Sequence, residues 1–265
     1  MSELLDRVIE IVKEAGAVFL DRSNLYVENK DTNSNYVTSG DKKVQEFLVP
    51  RLTELVEHST VLAEEEEQED LSGEYLWVID PIDGTSNYVR NFGFSCISVA
   101  LEKDGETLLG VVYDPDRDEM FSCEKGKGAF LNGKRIHVSE RPFSKGLLFS
   151  AMSLYKKEYS KSCFNIIQRV YAEADDLRRT GSAALELCYL ASGRGELYFE
   201  MRVFPWDVKA GMLMIEEAGG ETEIVYGRPA SAVMPFPVIA ANSKENLSRL
   251  REIVTDEIKE VPYES

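Results

Sequence analysis

Trp77-Val78-Ile79-Asp80-Pro81-Ile82-Asp83-Gly84-Thr85-Ser86-Asn87-Tyr88 is the stretch on which the reading of this chain turns. Residues 76–80 form a short apolar run that reads as a buried strand delivering Asp80 at its C-terminal end. Pro81 is expected to stop that strand, because proline has no N–H for a ladder. Asp83 follows one turn later, and Gly84-Thr85-Ser86 reads as the opening of a helix. Two carboxylates then stand beside free backbone N–H groups. Hard divalent cations such as Mg²⁺ take oxygen ligands, and helix N-termini bind phosphate oxygens through their N–H groups and dipole. Gly84 permits close backbone approach, and Thr85 adds a hydroxyl. The plain alternative is a strand–turn–helix corner in which Asp83 only caps a helix.

Four other segments carry oxygen-bearing side chains. Leu62-Ala63-Glu64-Glu65-Glu66-Glu67 holds a glutamate run, ordinarily a solvated acidic loop. Glu200-Met201-Arg202-Val203-Phe204-Pro205-Trp206-Asp207 puts Asp207 just before an apolar helix, where an aspartate is ordinarily an N-cap. Val37-Thr38-Ser39-Gly40-Asp41 offers Asp41 as a cap for the second helix. Gly181-Ser182-Ala183-Ala184 supplies small residues at a helix start, ordinarily for close packing.

Around these segments the apolar periodicity sketches the elements. Leu4, Leu5, Val8, Ile9, Val12, Ala15 and Phe19 mark an amphipathic helix. A second begins near Asp41, and Pro50 inside it should kink or split it. Residues 95–138 read as an antiparallel sheet, with strands at 95–103, 107–113, 120–123 and 136–138. Asp104-Gly105 and Asn132-Gly133 mark turns within it. After residue 141 helices at 160–174, 182–191 and 207–218 alternate with strands at 147–151, 197–200, 221–225 and 238–241, an α/β rhythm. An α+β amino-terminal half, 1–140, and an α/β carboxyl-terminal half, 141–265, are expected to share one compact body.

Composition narrows the function. With 265 residues, 43% of them hydrophobic, the chain can bury a sizeable core. It shows no secretory signal and no apolar run that could span a bilayer, and reads as cytoplasmic. Cys96, Cys123, Cys163 and Cys188 form no CxxC pair, and His58 and His137 stand apart, so zinc sites and His-centred triads lack material. The net charge of −17 disfavours nucleic acid and anionic membranes as partners. It would also repel a phosphorylated substrate unless a bound cation reversed the sign locally.

Read together and in order, the motifs resemble those of the inositol monophosphatase family of metal-dependent, lithium-sensitive phosphatases. Asp80-Pro81-Ile82-Asp83-Gly84-Thr85 is similar to that family's DPIDGT. Trp206-Asp207-Val208 with Glu217-Ala218-Gly219-Gly220 resembles WDVAAG…EAGG, and Leu62-Ala63-Glu64-Glu65 resembles LGEE. Residues 37–41 resemble VTxxD, and residues 126–133 a family hairpin. The resemblance implies an α+β fold, a layered αβαβα sandwich, with the active site between the halves and a homodimer in the usual case. It implies two Mg²⁺ ions, with a third as an alternative. Glu64 and the Ile82 carbonyl would hold the first, Asp80 would bridge, and Asp83 and Asp207 would complete the second. Asp41 and Thr85, with Glu64, would orient and activate the attacking water. Asp83, Gly84, Thr85, Ser86 and Asp207 would line the phosphate. Ala183 and Glu200 would meet the hydroxyls of the alcohol, and Glu65 would stand behind the ligands.

The implied reaction is hydrolysis of a small phosphorylated cyclitol or sugar, myo-inositol monophosphate first. Ser86-Asn87-Tyr88 is closer to the family's TTNF than to the KEF of adenosine 3′,5′-bisphosphate nucleotidases or the RSF of histidinol-phosphate phosphatases. Arg202 is either a solvated arginine or a contact for a second phosphate, which keeps fructose 1,6-bisphosphatase activity as an alternative. Ala63, Gly40, Ser86, Arg90 and Lys209 depart from the family pattern without removing a ligand; at Gly40 a larger residue is common. A rival of another class is a non-catalytic regulator, since some bacterial relatives bind the transcription machinery.

Overall fold

The structure is a computed structural model that describes residues 2–23, 25–29, 36–65, 71, 73–151, 157–227 and 234–258. Glu66 and Glu67 of the acidic run lie outside them.

Helix α1, Glu3–Leu20, buries Leu5, Val8, Val12, Ala15 and Phe19 along one face. Ser2 caps it, its hydroxyl accepting from the Leu5 N–H at 3.3 Å. Helix α2, Ser39–Leu55, buries Val44, Leu48 and Leu52. It runs through Pro50 as one helix, so the expected split does not occur. Proline there removes one helical hydrogen bond and crowds the preceding turn, at a cost of about 3 kcal/mol. Leu48 and Leu52, on either side of it, are wholly buried and offset that cost.

A short ribbon, β1 Val27–Asn29 with β2 Tyr36–Thr38, leads into α2. A seven-stranded sheet then forms in chain order from β3 Ser59–Ala63, β4 Tyr75–Asp83, β5 Cys96–Lys103, β6 Glu106–Asp114, β7 Glu119–Glu124, β8 Gly128–Leu131 and β9 Lys134–Arg135. Only β3 and β4 run parallel. The β5–β6 turn puts Asp104 and Gly105 at φ 51° and 76°, the left-handed pair that the Asp-Gly signal predicts. Short helix α3, Thr85–Val89, follows β4.

The carboxyl-terminal elements are β10 Leu147–Ala151, α4 Ser160–Tyr171, β11 Asp176–Arg178, α5 Ala183–Ala191, β12 Leu197–Val203, α6 Pro205–Glu217, β13 Glu221–Ile224, β14 Phe236–Ala241 and α7 Lys244–Glu257. Their five strands lie in the order β11-β10-β12-β14-β13, parallel as far as β12 and antiparallel beyond it. The strand expected at 136–138 does not form. Ile136 still donates to Ala129, but the Val138 N–H turns to the Ala218 carbonyl at 3.1 Å. Ile136 and Val138 are apolar because they pack on the central core.

Three cores separate five layers. Helices α1 and α2 cover one face of the seven-stranded sheet through Trp77, Ile79, Ile97, Val99 and Leu101. The alternate residues Val78, Cys96, Ala100, Val112 and Phe121 face α5 and α6, which also meet Tyr198 and Val238 of the five-stranded sheet. Beyond that sheet, α4 and α7 pack on Leu197, Phe199 and Ile239. Helix α5 is buried nearly all round, as a central layer requires. The architecture is the αβαβα sandwich of an α+β fold. Among the described residues no helix is long and apolar enough to cross a membrane.

Candidate active site

The β4–β5 ladder does not end at Pro81. Asp80 pairs with Ser98 and Asp83 with Cys96, so Pro81 and Ile82 together oppose Ile97. This is a β-bulge, one of the few places in a sheet that accepts proline. Residues three apart on a regular strand point to opposite faces. The extra residue cancels that alternation and brings Asp80 and Asp83 to the same side. The Asp80 Oδ1 folds back to accept from the Ile82 N–H at 3.0 Å.

Asp83 does cap a helix, but not the one that follows it. Its Oδ2 accepts from the Ser182 hydroxyl at 2.5 Å and the Ala184 N–H at 2.8 Å, at the start of α5. The left-handed N-cap of α3 is Gly84, at φ 84°. A Cβ on Gly84 would stand 3.1 Å from both the Gly181 and Phe94 carbonyl oxygens, so only glycine lets residue 181 come this close. Asp207 is not the N-cap of α6 either. Phe204 holds that position, Pro205 and Trp206 follow, and the Asp207 Oδ2 reaches back to accept from the Phe204 N–H at 2.7 Å.

Oxygens of Asp80, Asp83 and Asp207 all lie within 4.8 Å of one another. Burial pushes the Asp80 carboxyl far above the usual carboxylate range, and Glu64, Asp83 and Asp207 push it further. Asp83 rises to about 6, mainly through burial, with its Ser182 and Ala184 hydrogen bonds pulling the other way. Asp207 is raised by burial, then by Asp83 and Glu64. Two buried carboxyls and a half-buried third that resist ionising together form a site that a divalent cation fits, since hard oxygen donors converge there and a positive charge would relieve the repulsion.

Glu64 follows β3, its N–H donating to the Ile79 carbonyl at 3.2 Å. Its charge raises Asp80, Asp207 and Asp41, although it is not one of the three converging carboxylates. The Glu65 N–H donates to Gln45 Oε1 at 3.3 Å. Asp41 is buried at the third position of α2, where its Oδ2 accepts from the Thr38 N–H at 2.8 Å and the Thr38 hydroxyl at 2.5 Å. The Thr85 hydroxyl donates to the Ile82 carbonyl at 3.0 Å and stands 3.5 Å from Asp41 Oδ1. Burial lifts Asp41 to about 7, against its Thr38 hydrogen bond, and Glu64 and Glu65 add to the rise.

Of the remaining expected residues, Ala183 adjoins Asp83, and Glu200 is close enough for its charge to act on Asp207. The Ser86 hydroxyl accepts from Arg90 at 2.7 Å, and Ala183 opens α5. Glu200 on β12 accepts from the Tyr198 hydroxyl at 2.9 Å, and burial, then Glu186, raise it to about 8. The Arg202 guanidinium stands 5.8 Å from the centre of the Tyr159 ring. Sequence reasoning passed over Asn87, Ser182 and Glu186. Glu186 left a signal: it is the one charged residue in the apolar helix AALELCYLA.

Five layers in this order, with Asp80 and Asp83 of β4 converging on Asp207 of α6, define a class of α+β sandwich protein with a carboxylate cluster that could hold a hard cation. The comparisons narrow the class. The model of the inositol monophosphatase family matches residues 1–259. The chain is 32% identical to the "Nus factor SuhB" of Escherichia coli K12, over 98% of this chain and 100% of that protein. Among solved structures, a Thermotoga maritima IMPase superposes with a TM-score of 0.85 at 30% identity, covering 98% of this chain and 100% of the other. The extragenic suppressor protein suhB of Bartonella henselae superposes with a TM-score of 0.86 at 29% identity, covering 96% and 98%. The chain belongs to the inositol monophosphatase family.

Proposed function

We propose that this chain is a Mg²⁺-dependent phosphatase acting on a small polyol monophosphate, with myo-inositol monophosphate as the compound to test first. The convergence of Asp80, Asp83 and Asp207 through the β4 bulge carries this reading. These three, with Glu64 and the Ile82 carbonyl, would hold the metal. Bound Mg²⁺ supplies positive charge to the phosphate and the leaving oxygen and lowers the pKa of water. Asp41 would take the water's proton at Oδ1, because its Oδ2 is already committed to both Thr38 donors. Thr85, whose hydroxyl stands 3.5 Å from Asp41 Oδ1, would help orient the water. The Gly84 and Thr85 N–H groups would hold phosphate oxygens, and Ser86 would border them. Glu200 and the Ala183 backbone would meet the hydroxyls of the alcohol, with Glu65 behind the ligands. The protein then works mainly by positioning charge, as phosphoryl transfer requires.

Phosphate release from D-myo-inositol 1-phosphate is measured with and without Mg²⁺, beside fructose 1,6-bisphosphate and adenosine 3′,5′-bisphosphate. Mg²⁺-dependent preference for the inositol ester is expected. Preference for a bisphosphate would move the substrate and direct attention to Arg202. Relatives named Nus factors favour a second reading, a non-catalytic regulator that binds the transcription machinery. No turnover of any of the three esters would favour it.

A further inference from the structure

Glu186 lies one turn into α5 with none of its surface in contact with solvent. Its Oε1 accepts from the Thr180 N–H at 3.0 Å, the Thr180 hydroxyl at 2.6 Å and the Gly181 N–H at 3.2 Å. Its Oε2 has no hydrogen-bond partner among the described residues. The rest of this short segment is held from the other sheet. The Thr180 carbonyl accepts from the Asn87 amide at 2.7 Å, and the same amide reaches the Phe94 carbonyl at 2.7 Å. The Ser182 hydroxyl and the Ala184 N–H end on Asp83. Residues 180–184 therefore have their polar groups fixed by three side chains, Asn87, Asp83 and Glu186. Glu186 takes the N–H groups of the irregular backbone ahead of α5, where Gly181 sits at φ 86°, while Asn87 takes the Thr180 carbonyl.

A carboxyl buried this deeply is costly unless its hydrogen bonds hold something in place. What Glu186 holds is the stretch that leads into Ala183 and lies against Gly84. We infer that Glu186 is a positioning residue of the site: it fixes the backbone of residues 180–183 at the alcohol end, and so sets where a polyol's hydroxyls can rest. This rests on the phosphatase reading above and adds a substrate dependence to it. An ester whose alcohol reaches Ala183 needs Glu186. An ester with no hydroxyls to place, such as 4-nitrophenyl phosphate, does not.

The test uses the full chain with Mg²⁺ and compares wild type, Glu186→Gln and Glu186→Ala on D-myo-inositol 1-phosphate and 4-nitrophenyl phosphate. Glutamine keeps an acceptor oxygen at the same reach and should stay within about threefold of wild type on both esters. Alanine strands the Thr180 and Gly181 donors. It should raise KM for the inositol ester about tenfold while kcat/KM for 4-nitrophenyl phosphate moves less than about threefold. Equal losses on both esters, or none on either, would overturn the inference. If the alanine variant does not fold, Thr180→Val removes one donor and should raise KM about threefold on the inositol ester alone; no change would count against the inference. Amide hydrogen exchange gives a readout independent of turnover. The Thr180 and Gly181 amides should exchange at least about tenfold faster in Glu186→Ala than in wild type. Unchanged exchange refutes the pinning even if the enzyme is active. A wild type that turns over neither ester refutes the phosphatase reading, and the exchange result still decides the role of Glu186.

Discussion

At one end of the site Asp80, Asp83 and Asp207 bring oxygens within 4.8 Å of one another; burial pushes all three toward the protonated form, and the Asp83 charge adds to the rise of Asp80 and Asp207. At the other end Glu186 is equally buried, yet one of its oxygens takes three donors, and Glu200 takes the Tyr198 hydroxyl. Each carboxylate of the first group takes a donor from the chain, yet their oxygens still converge on one another, and the group fits a cation. The second is satisfied largely by the chain itself. Acidic clusters that look alike in a sequence thus differ in what completes them. Asp83 joins the two ends, converging with the first group while capping α5.

The comparison breaks most sharply at Asp80. Asp80→Asn keeps the shape and the bulge but removes the central charge. Phosphate release should fall about 10³-fold, since metal-supplied charge stabilisation is worth several kcal/mol. Melting in metal-free buffer at pH 8 should move the opposite way, with the variant above wild type, because a repelled buried carboxyl is gone. A variant that loses activity and also melts lower without metal would mean that Asp80 is structurally satisfied.

The same contrast has a pH signature. Asp83, Asp41 and Glu200 hold their protons up to about 6, 7 and 8 in the folded chain, above the ordinary carboxylate range. Below about pH 4 they are protonated in both states and shift nothing. As pH rises from there to about 8 the unfolded chain releases its protons first, so the folded state binds more and stability falls. The metal-free melting temperature should drop steadily between pH 5 and 8, and saturating Mg²⁺ should flatten the curve. A rise over that range without metal would contradict the repulsion.

Gly84→Ala sharpens the boundary between the two ends. The new Cβ meets two carbonyl oxygens at 3.1 Å on a backbone at φ 84°. The strain should cost about 1–3 kcal/mol in a denaturant titration. Moving residue 181 should cut turnover of the inositol ester by about tenfold to a hundredfold. Wild-type activity in this variant would show that the approach of residues 181 and 84 is dispensable.

Much of the carboxylate cluster was readable because Asp80 and Asp83 sit in one short motif, and the resemblance supplied Asp41, Glu64 and Asp207 from a distance. The bulge was not readable. Pro81 looks like a strand end until β5 pairs on both sides of it, and that register is a tertiary fact. The partner of Asp83 lies 101 residues away, so local sequence offered only the wrong helix to cap. Pro50 does not split α2 for a related reason, since burial of Leu48 and Leu52 outweighs a local rule. Helix α7 has no counterpart among the expected elements, although Ser243 caps it at the Asn246 N–H. The alcohol end was the less legible, because backbone groups and a lone glutamate in an apolar helix carry no motif.

The smallest effect concerns the support behind Asp41. A Cβ on Gly40 would stand 3.0 Å from both the Tyr88 hydroxyl and Thr38 Oγ1. That tyrosine hydroxyl donates to the Phe19 carbonyl at 2.7 Å, and its ring meets Phe19 edge-on. Where the family resemblance has a larger residue and a phenylalanine, this chain has glycine and tyrosine. The Tyr88 hydroxyl occupies space that a side chain at residue 40 would need. Gly40→Ala alone should cost about 1 kcal/mol by overpacking and lower turnover a fewfold by disturbing the Thr38–Asp41 cap. Tyr88→Phe alone should cost about 1 kcal/mol by leaving the Phe19 carbonyl without its donor. The double variant should cost less than the sum by at least about 0.5 kcal/mol, because removing the hydroxyl makes room for the methyl. Strict additivity in urea titrations would mean that the helix start shifts freely to admit the methyl, and that Asp41 is held by Thr38 without help from Tyr88.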